Sequence, residues 1–395
     1  MSELLTTPSI SQLQSAGSLK WTAPDFLPAS EMPVRGHWVA EMDYATAPVV
    51  QEAIEKAVKQ QFYGYPPAWL NADLQRATAN FQKQQYGWDV AEESVYPAAS
   101  VLDVFRAFLK LLPAGSKILV PTPAYMPFLS IPQSFGVEVV QVNGRFRGRE
   151  WRLDFDRLRL LAESAEALVL CNPWNPTGRV FTREELEIIR NIAVEKELLV
   201  FADEIHAPLV LPGFSHTPYA SLPGTADHTV TATAASKAFN IPGLHSAQAL
   251  VAADSALAGR WSEVTGFLGW SAPLGSFATI AAYDSGEPWL QEVRAYLADN
   301  LELAKSILIP ESGWSWQVPQ GGYLGFLSYD SGLANFAMLA EGGLSGVFFK
   351  RTGVATVPGS ALGVGFSSGV RFNFASSKEV LTESLEALAS FNSLL

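Results

Sequence analysis

The sequence predicts an α/β protein: a large domain built on a mostly parallel, doubly wound sheet, joined to a smaller α+β domain. Three observations carry this. Short apolar runs without polar alternation recur through the middle of the chain, an amphipathic helical pattern lies between two of them, and the pattern changes after residue 270. Strands of four to six apolar residues with no alternation belong to a parallel sheet covered on both faces.

The runs come in the order "SKILVPTP", "VEVVQV", "EALVLCNP", "ELLVFADE", "TVTATAASK" and "AQALVAAD". Between the third and fourth lies "FTREELEIIRNIAVEKE". Thr182 with Glu185 three residues on forms a capping box, and Leu186, Ile189 and Ala193 fall on one face, so this is a crossover helix. Residues 46–270 therefore read as the doubly wound unit. Beyond "LGWSAPLG" a long helix ("GEPWLQEVRAYLADNLELAKSIL") precedes strands at "GGYLGFLSY" and "GVRFNFA" and a last helix at "SKEVLTESLEALASF". This tail, 271–395, joined by residues 1–45, is expected to form the smaller domain.

Composition narrows the function. The chain has 395 residues, a soft prior for two or three domains, and 48% of them are hydrophobic, enough for a large core. A net charge of −12 argues against nucleic acid or an anionic membrane as partner, since either needs a basic patch. Cys171 is the one cysteine, so no disulfide forms within the chain and a reducing interior suits it. "MSELLTTPSI" lacks the features of a signal peptide, and no run approaches the roughly 18 apolar residues of a membrane helix. A cytoplasmic protein acting on a small molecule is the expectation.

Three polar residues stand directly after apolar runs: Asn175 in "NPWNPTG", Asp203 after "LLVFA" and Lys237 after "TVTATAAS". Ligands of open parallel sheets sit outside the carboxyl ends of the strands, so the three should meet at one crevice. Each alone could be a helix cap or a solvated loop residue. Their shared position relative to their strands argues for chemistry.

"NPWNPTG", "ADEIH", "AASKAFNIPGL" and "VRFNFA", in that order, resemble the fold-type I pyridoxal phosphate (PLP) enzymes of the aspartate aminotransferase superfamily. "HWVAEMDYATAP", "YGYPP" and His206 in "DEIH" resemble one branch of it, the cystathionine β-lyase or C–S lyase group (MalY/PatB type). The resemblance spans about 35 to 376 and implies the PLP-dependent transferase fold.

It also implies roles. Lys237 would hold the PLP aldehyde as an imine and, once displaced by the substrate amine, take the proton from Cα. Asp203 would pair with the pyridine nitrogen and keep it protonated. Asn175 would reach the ring 3′-oxygen, held at the sheet rim by its prolines. His206 occupies the place of a tyrosine directed at that oxygen, with a structural histidine as the alternative. Tyr125 would stack on the ring. Tyr65 would reach the phosphate of the neighbouring subunit's cofactor, with Tyr63 as competitor, which implies a homodimer with shared sites. Ala99, Ser100 and Val101 at a helix start, with Ser236, would cradle the phosphate. Arg371 would grip the substrate α-carboxylate, completed by Asn175 and the backbone near Met42 and Asp43. The chain departs from its relatives at Ala98, Ala234 and His245, where glycine, serine and arginine are usual; these departures bear on the phosphate contacts.

The branch-like motifs favour α,β-elimination on an amino-acid thioether, cystathionine or a cysteine S-conjugate, over transamination. An aromatic wall of Trp38, Tyr44, Tyr65 and Trp69 would suit an uncharged thioether. An aminotransferase is the alternative reading, and a binding or regulatory protein with vestigial catalysis a third. Cys171, at a buried strand end without a base, reads as core. The five histidines show no metal-ligand spacing, so no metal is expected.

Overall fold

The computed structural model describes residues 5–329 and 342–391. Seven strands form the central sheet: β1 (Val95–Ala98), β2 (Lys117–Thr122), β3 (Glu138–Asn143), β4 (Ala167–Cys171), β5 (Leu199–Asp203), β6 (Thr229–Thr233) and β7 (Ala247–Leu250). Their order across the sheet is β1-β7-β6-β5-β4-β2-β3. β2 to β6 pair in parallel, while β7 runs antiparallel to both β6 and β1. All six apolar runs are strands. β1, inside "SVYPA", carries Pro97 and gave no strand signal; it lies at the sheet edge, where a missing N–H is tolerated.

The crossover helix Arg183–Glu195 carries the expected capping box. Glu185 N–H donates to Thr182 Oγ1 and Thr182 N–H to Glu185 Oε2. Its Leu186, Ile189, Ile192 and Ala193 are buried against one face of the sheet, with Leu168, Leu170 and Val200. Helix Val101–Leu109 covers the other face through Val104, Phe105 and Phe108, which pack with Phe128 and Phe201. A sheet covered on both faces leaves its strand ends as the place for polar side chains.

A second sheet of β8 (Trp314–Trp316), β9 (Leu324–Tyr329), β10 (Val357–Pro358) and β11 (Gly369–Asn373) is antiparallel, in the order β8-β9-β11-β10. Helices Glu287–Ile307 and Lys378–Ala389 pack on each other beside it. Helix Pro273–Ser285 packs on helices Pro48–Lys59 and Ala68–Tyr86. No helix among the described residues is long and apolar enough to cross a membrane.

Candidate active site

Asn175, Asp203 and Lys237 do meet. They line one cavity of about 190 Å³ together with Ala99, Ser100, Tyr125, His206, Ser236 and His245. A larger cleft of about 860 Å³, along Lys305 and Trp314 to Gln320, lies elsewhere and gathers none of these groups. The site is assigned by chemistry, not by volume.

The turn after β4 is fixed by its own backbone. Trp174 N–H donates to Arg179 O at 2.7 Å, Gly178 N–H to Trp174 O at 2.8 Å, and Asn172 N–H to Asp203 O at 2.9 Å. Trp174 is buried, stacks on Phe181 and donates Nε1–H to Pro123 O at 2.9 Å. Gly178 has φ +70°, and a Cβ there would lie 2.5 Å from Pro319 Cβ, so only glycine closes this turn. Asn175 is thereby held at the rim with its Oδ1 buried and without a hydrogen-bond partner.

Asp203 ends β5, opposite Cys171 of β4. Burial pushes its carboxyl up to about 7, against the Ile205 N–H that donates to Oδ1 at 3.2 Å. A cationic partner would restore the carboxylate, and the nearby Lys237 does so in part. The Cys171 thiol lies 3.8 Å from Asp203 Oδ2, and burial raises it well above its ordinary range, so it is no nucleophile.

Lys237 follows β6 by four residues. Burial, then the Arg371 cation, lower its amine to about 8. Its Nζ donates to Ala40 O at 2.9 Å. His206 is brought down to about 3 by burial, Lys237 and Arg371, so its imidazole is neutral, and its Nδ1 is buried without a partner. Arg371, on β11, is 3% exposed. Its Nη2 donates to Trp38 O at 2.8 Å, while Nε and Nη1 have no partner. Burial lowers the guanidinium to about 10, still cationic at neutral pH.

Tyr125 lines the cavity ahead of the short helix Met126–Ser130, its ring edge-on to Phe128 at 5.6 Å, its phenol raised by burial. Ser100 is the N-cap of helix Val101–Leu109; its Oγ accepts from Asp103 N–H and donates to Asp103 Oδ2 at 2.6 Å. Val101 also lines the cavity. Ala99 lies there too, but its N–H is spent on Leu268 O at 2.8 Å, which removes one expected phosphate donor.

Several expectations fail at the 42–44 stretch. Tyr44 is 2% exposed, and its hydroxyl donates to Ser376 O and accepts from Asn300, so it is core and no part of an aromatic wall. Asp43 turns into a buried ion pair with Lys20 at 3.0 Å and accepts from Trp21 Nε1. The N–H groups of Met42 and Asp43 are taken by Asn240 Oδ1 and Ala375 O, leaving none for a substrate carboxylate. Tyr65 is 79% exposed and meets Trp270 edge-to-face at 4.8 Å, outside its own chain's cavity. Tyr63 and Trp69 are exposed as well.

Sequence reasoning missed the Ala40 carbonyl, which takes both Lys237 Nζ and Tyr323 OH at 2.9 Å, and Tyr323 itself. It also missed Ser246, which lines the cavity and accepts from Ser271 and Thr279. "GGYLGFLSY" gave a strand signal but no role for Tyr323, and a backbone carbonyl gives none.

The unpartnered buried atoms of Asn175, His206 and Arg371, with a buried carboxyl and a depressed lysine, fit PLP and an amino-acid carboxylate together. An amine, a carboxylate and an amide around one cavity at a parallel-sheet rim, with a buried guanidinium close enough to the amine to lower it, define a PLP-type enzyme of amino-acid chemistry.

The family follows from comparison. A model described as aminotransferase class I and II matches residues 39–388, and the chain belongs to that family. It is 32% identical to the cystathionine β-lyase of Corynebacterium glutamicum, over 97% of this chain and 99% of that one. A proposed PLP-dependent β-cystathionase from Corynebacterium diphtheriae superposes with a TM-score of 0.86 at 32% identity, over 98% of this chain and 99% of that one. The PLP-bound C–S lyase of Staphylococcus hominis does so with 0.85 at 27% identity, over 94% and 91%.

Proposed function

We propose that this chain is a PLP-dependent C–S β-lyase that splits cystathionine or cysteine S-conjugates into a thiol, pyruvate and ammonia. The observation that carries the reading is the buried Arg371 with two unpartnered donors, sharing its electrostatic surroundings with Lys237 and Asp203. Bound PLP supplies an aldehyde that links covalently to amines and a ring that accepts charge from Cα.

The residues divide the remaining work. Lys237, with its amine at about 8, offers a usable neutral fraction near pH 7. It holds the aldehyde, and once displaced it takes the Cα proton. Asp203 keeps a proton on the ring nitrogen. The Asn175 amide would donate an Nδ2 hydrogen to the ring oxygen, with neutral His206 beside it in the same cavity. Arg371, with one Nη2 hydrogen on Trp38 O, would offer the other beside an unpartnered N–H of Nε or Nη1 as a fork to the carboxylate, which orients Cα. Loss of the Cα proton lets the Cβ–S bond break, the sulfur leaving with its electron pair and a proton. Water completes the products. Ser100, Val101 and Ser236 are the phosphate donors of this proposal, and Tyr125 the ring-stacking group.

The same reading takes the chain as a cytoplasmic homodimer whose exposed Tyr63, Tyr65, Trp69 and Trp270 face a second copy, with Tyr65 serving that copy's site. It divides the chain into a large unit continuing through Ser285 and a smaller one built on the second sheet.

The test is a panel of cystathionine and S-alkyl cysteines followed for pyruvate and, in parallel, for amino transfer to keto acids. Pyruvate release is expected. Rapid amino transfer with no pyruvate from any β-substituted substrate would replace the lyase by an aminotransferase.

A further inference from the structure

Residues 38–44 cross the site outside every strand, so their carbonyls have no ladder partners. Side chains from the segments 237–240 and 371–373, and Tyr323, take them instead. Arg371 Nη2 donates to Trp38 O at 2.8 Å. Asn373 Nδ2 donates to Val39 O at 2.7 Å and Glu41 O at 2.6 Å. Lys237 Nζ and Tyr323 OH share Ala40 O. Asn240 Nδ2 donates to Met42 O at 2.9 Å and Tyr44 O at 2.8 Å, while its Oδ1 accepts from Met42 N–H at 2.9 Å. Five consecutive carbonyls, 38 to 42, are therefore pinned, Trp38, Val39 and Glu41 from the arginine side and Ala40 and Met42 from the lysine side.

The two amides sit beside the two functional groups in sequence: Asn240 three residues after Lys237, Asn373 two after Arg371. Asn240 has φ 56°, a left-handed conformation that asparagine tolerates better than most residues. Asn373 is anchored in turn: its backbone carbonyl accepts from His37 Nδ1–H at 2.7 Å, and its Oδ1 accepts from Ala375 N–H at 2.7 Å. Neither amide lines the cavity.

We propose that Asn240 and Asn373 are positioning residues, and that the strap Trp38–Tyr44 they clamp couples the lysine to the arginine. The proposal rests on the roles given above to Lys237 and Arg371. Trp38 O holds one Nη2 hydrogen and so fixes how the guanidinium plane meets the carboxylate. A strap loosened at Met42 and Tyr44 shifts Trp38 O and lets that plane turn away from its partner. A change on the lysine side thereby reaches carboxylate capture without touching Arg371. Tyr323 keeps Ala40 O satisfied when the lysine amine leaves it, so the strap holds its place through turnover.

The probe is 3-(methylthio)propionate, a thioether carboxylate without an α-amine, which reaches the arginine but cannot displace the lysine. Its dissociation constant is read from tryptophan fluorescence, with and without added PLP. Asn240→Ala and Asn373→Ala are each expected to raise it about five- to tenfold, the scale of one or two lost hydrogen bonds. Because both release the same strap, the double variant should show clearly less than the product of the two effects. Asn240→Asp keeps the acceptor for Met42 N–H but loses both donors, and it replaces the alanine variant under the same criteria if that one does not fold. An Asn240 variant within twofold of wild type, effects that multiply, or a wild-type chain that does not bind the probe would overturn the strap. Borohydride-fixed cofactor, expected at one per chain throughout, reports separately on Lys237: its absence would sink the lyase reading while the titration still judges the strap.

Discussion

Replacing Arg371 by lysine keeps the charge and removes the fork. In the structure the guanidinium divides its donors: one Nη2 hydrogen goes to Trp38 O, and Nε and Nη1 have no partner among the described residues. An ammonium is a point charge and cannot hold the Trp38 carbonyl and offer two parallel N–H groups at once. The variant loses one charge-assisted hydrogen bond, about 1.5–3 kcal/mol, or roughly 10- to 150-fold in kcat/KM at about 1.4 kcal/mol per decade. The carboxylate is gripped equally before and during reaction, so the loss should fall on KM and leave kcat within a few-fold. The assay is pyruvate release from S-methylcysteine over a range of concentrations, with the cofactor's visible absorbance recorded for each preparation. A kcat/KM within threefold of wild type would refute the fork. So would a loss confined to kcat.

Two further outcomes follow from the buried charges. With the Lys237 amine held at about 8 by burial and Arg371, PLP uptake by the cofactor-free chain should rise about tenfold per pH unit below 8 and level off above it; stopped-flow absorbance checks this, and a flat profile from pH 6 to 9 contradicts it. The sign for stability is the same: the folded amine lies below its unfolded value of 10.5, the unfolded chain binds more protons between about 8 and 10.5, and the cofactor-free protein should gain stability with rising pH across that window. Asp203→Asn should still yield borohydride-fixed cofactor but lose about a hundredfold or more in pyruvate release, because a neutral amide does not sustain a protonated ring nitrogen. Undiminished turnover would remove Asp203 from the mechanism.

The legible part of the site was the part that sheet topology dictates. Asn175, Asp203 and Lys237 stand at the ends of β4, β5 and β6, three adjacent parallel strands, and such ends must open on one rim. The crossover helix was equally legible because Thr182 and Glu185 write its start in side chains. The strap was not. Its work is done by carbonyls, which every residue carries, and the residues next to them misled: Asp43 and Tyr44 are polar and adjacent to the site in sequence, yet both face inward to Lys20, Trp21 and Asn300. β1 was hidden by Pro97, since its pairing with β7 rests on an edge position that no local pattern records. The neighbours of helix Pro273–Ser285 were not legible either, because its weak apolar asymmetry does not say which elements it meets.

The ion pair between Lys20 and Asp43 sets a limit on how this enzyme can be cut. Lys20 is fully buried, also donating to Ala375 O and Ser376 Oγ, and it lies upstream of residue 39, where the match to the family model begins. A fragment started at that border would strand Asp43 as a lone anion in the interior, a penalty of about 3–5 kcal/mol, against a total of about 5–15 kcal/mol for a typical fold. The border of the family model and the border of a stable fold thus differ in this polypeptide: a cut at the first removes a leading arm on which much of the stability rests.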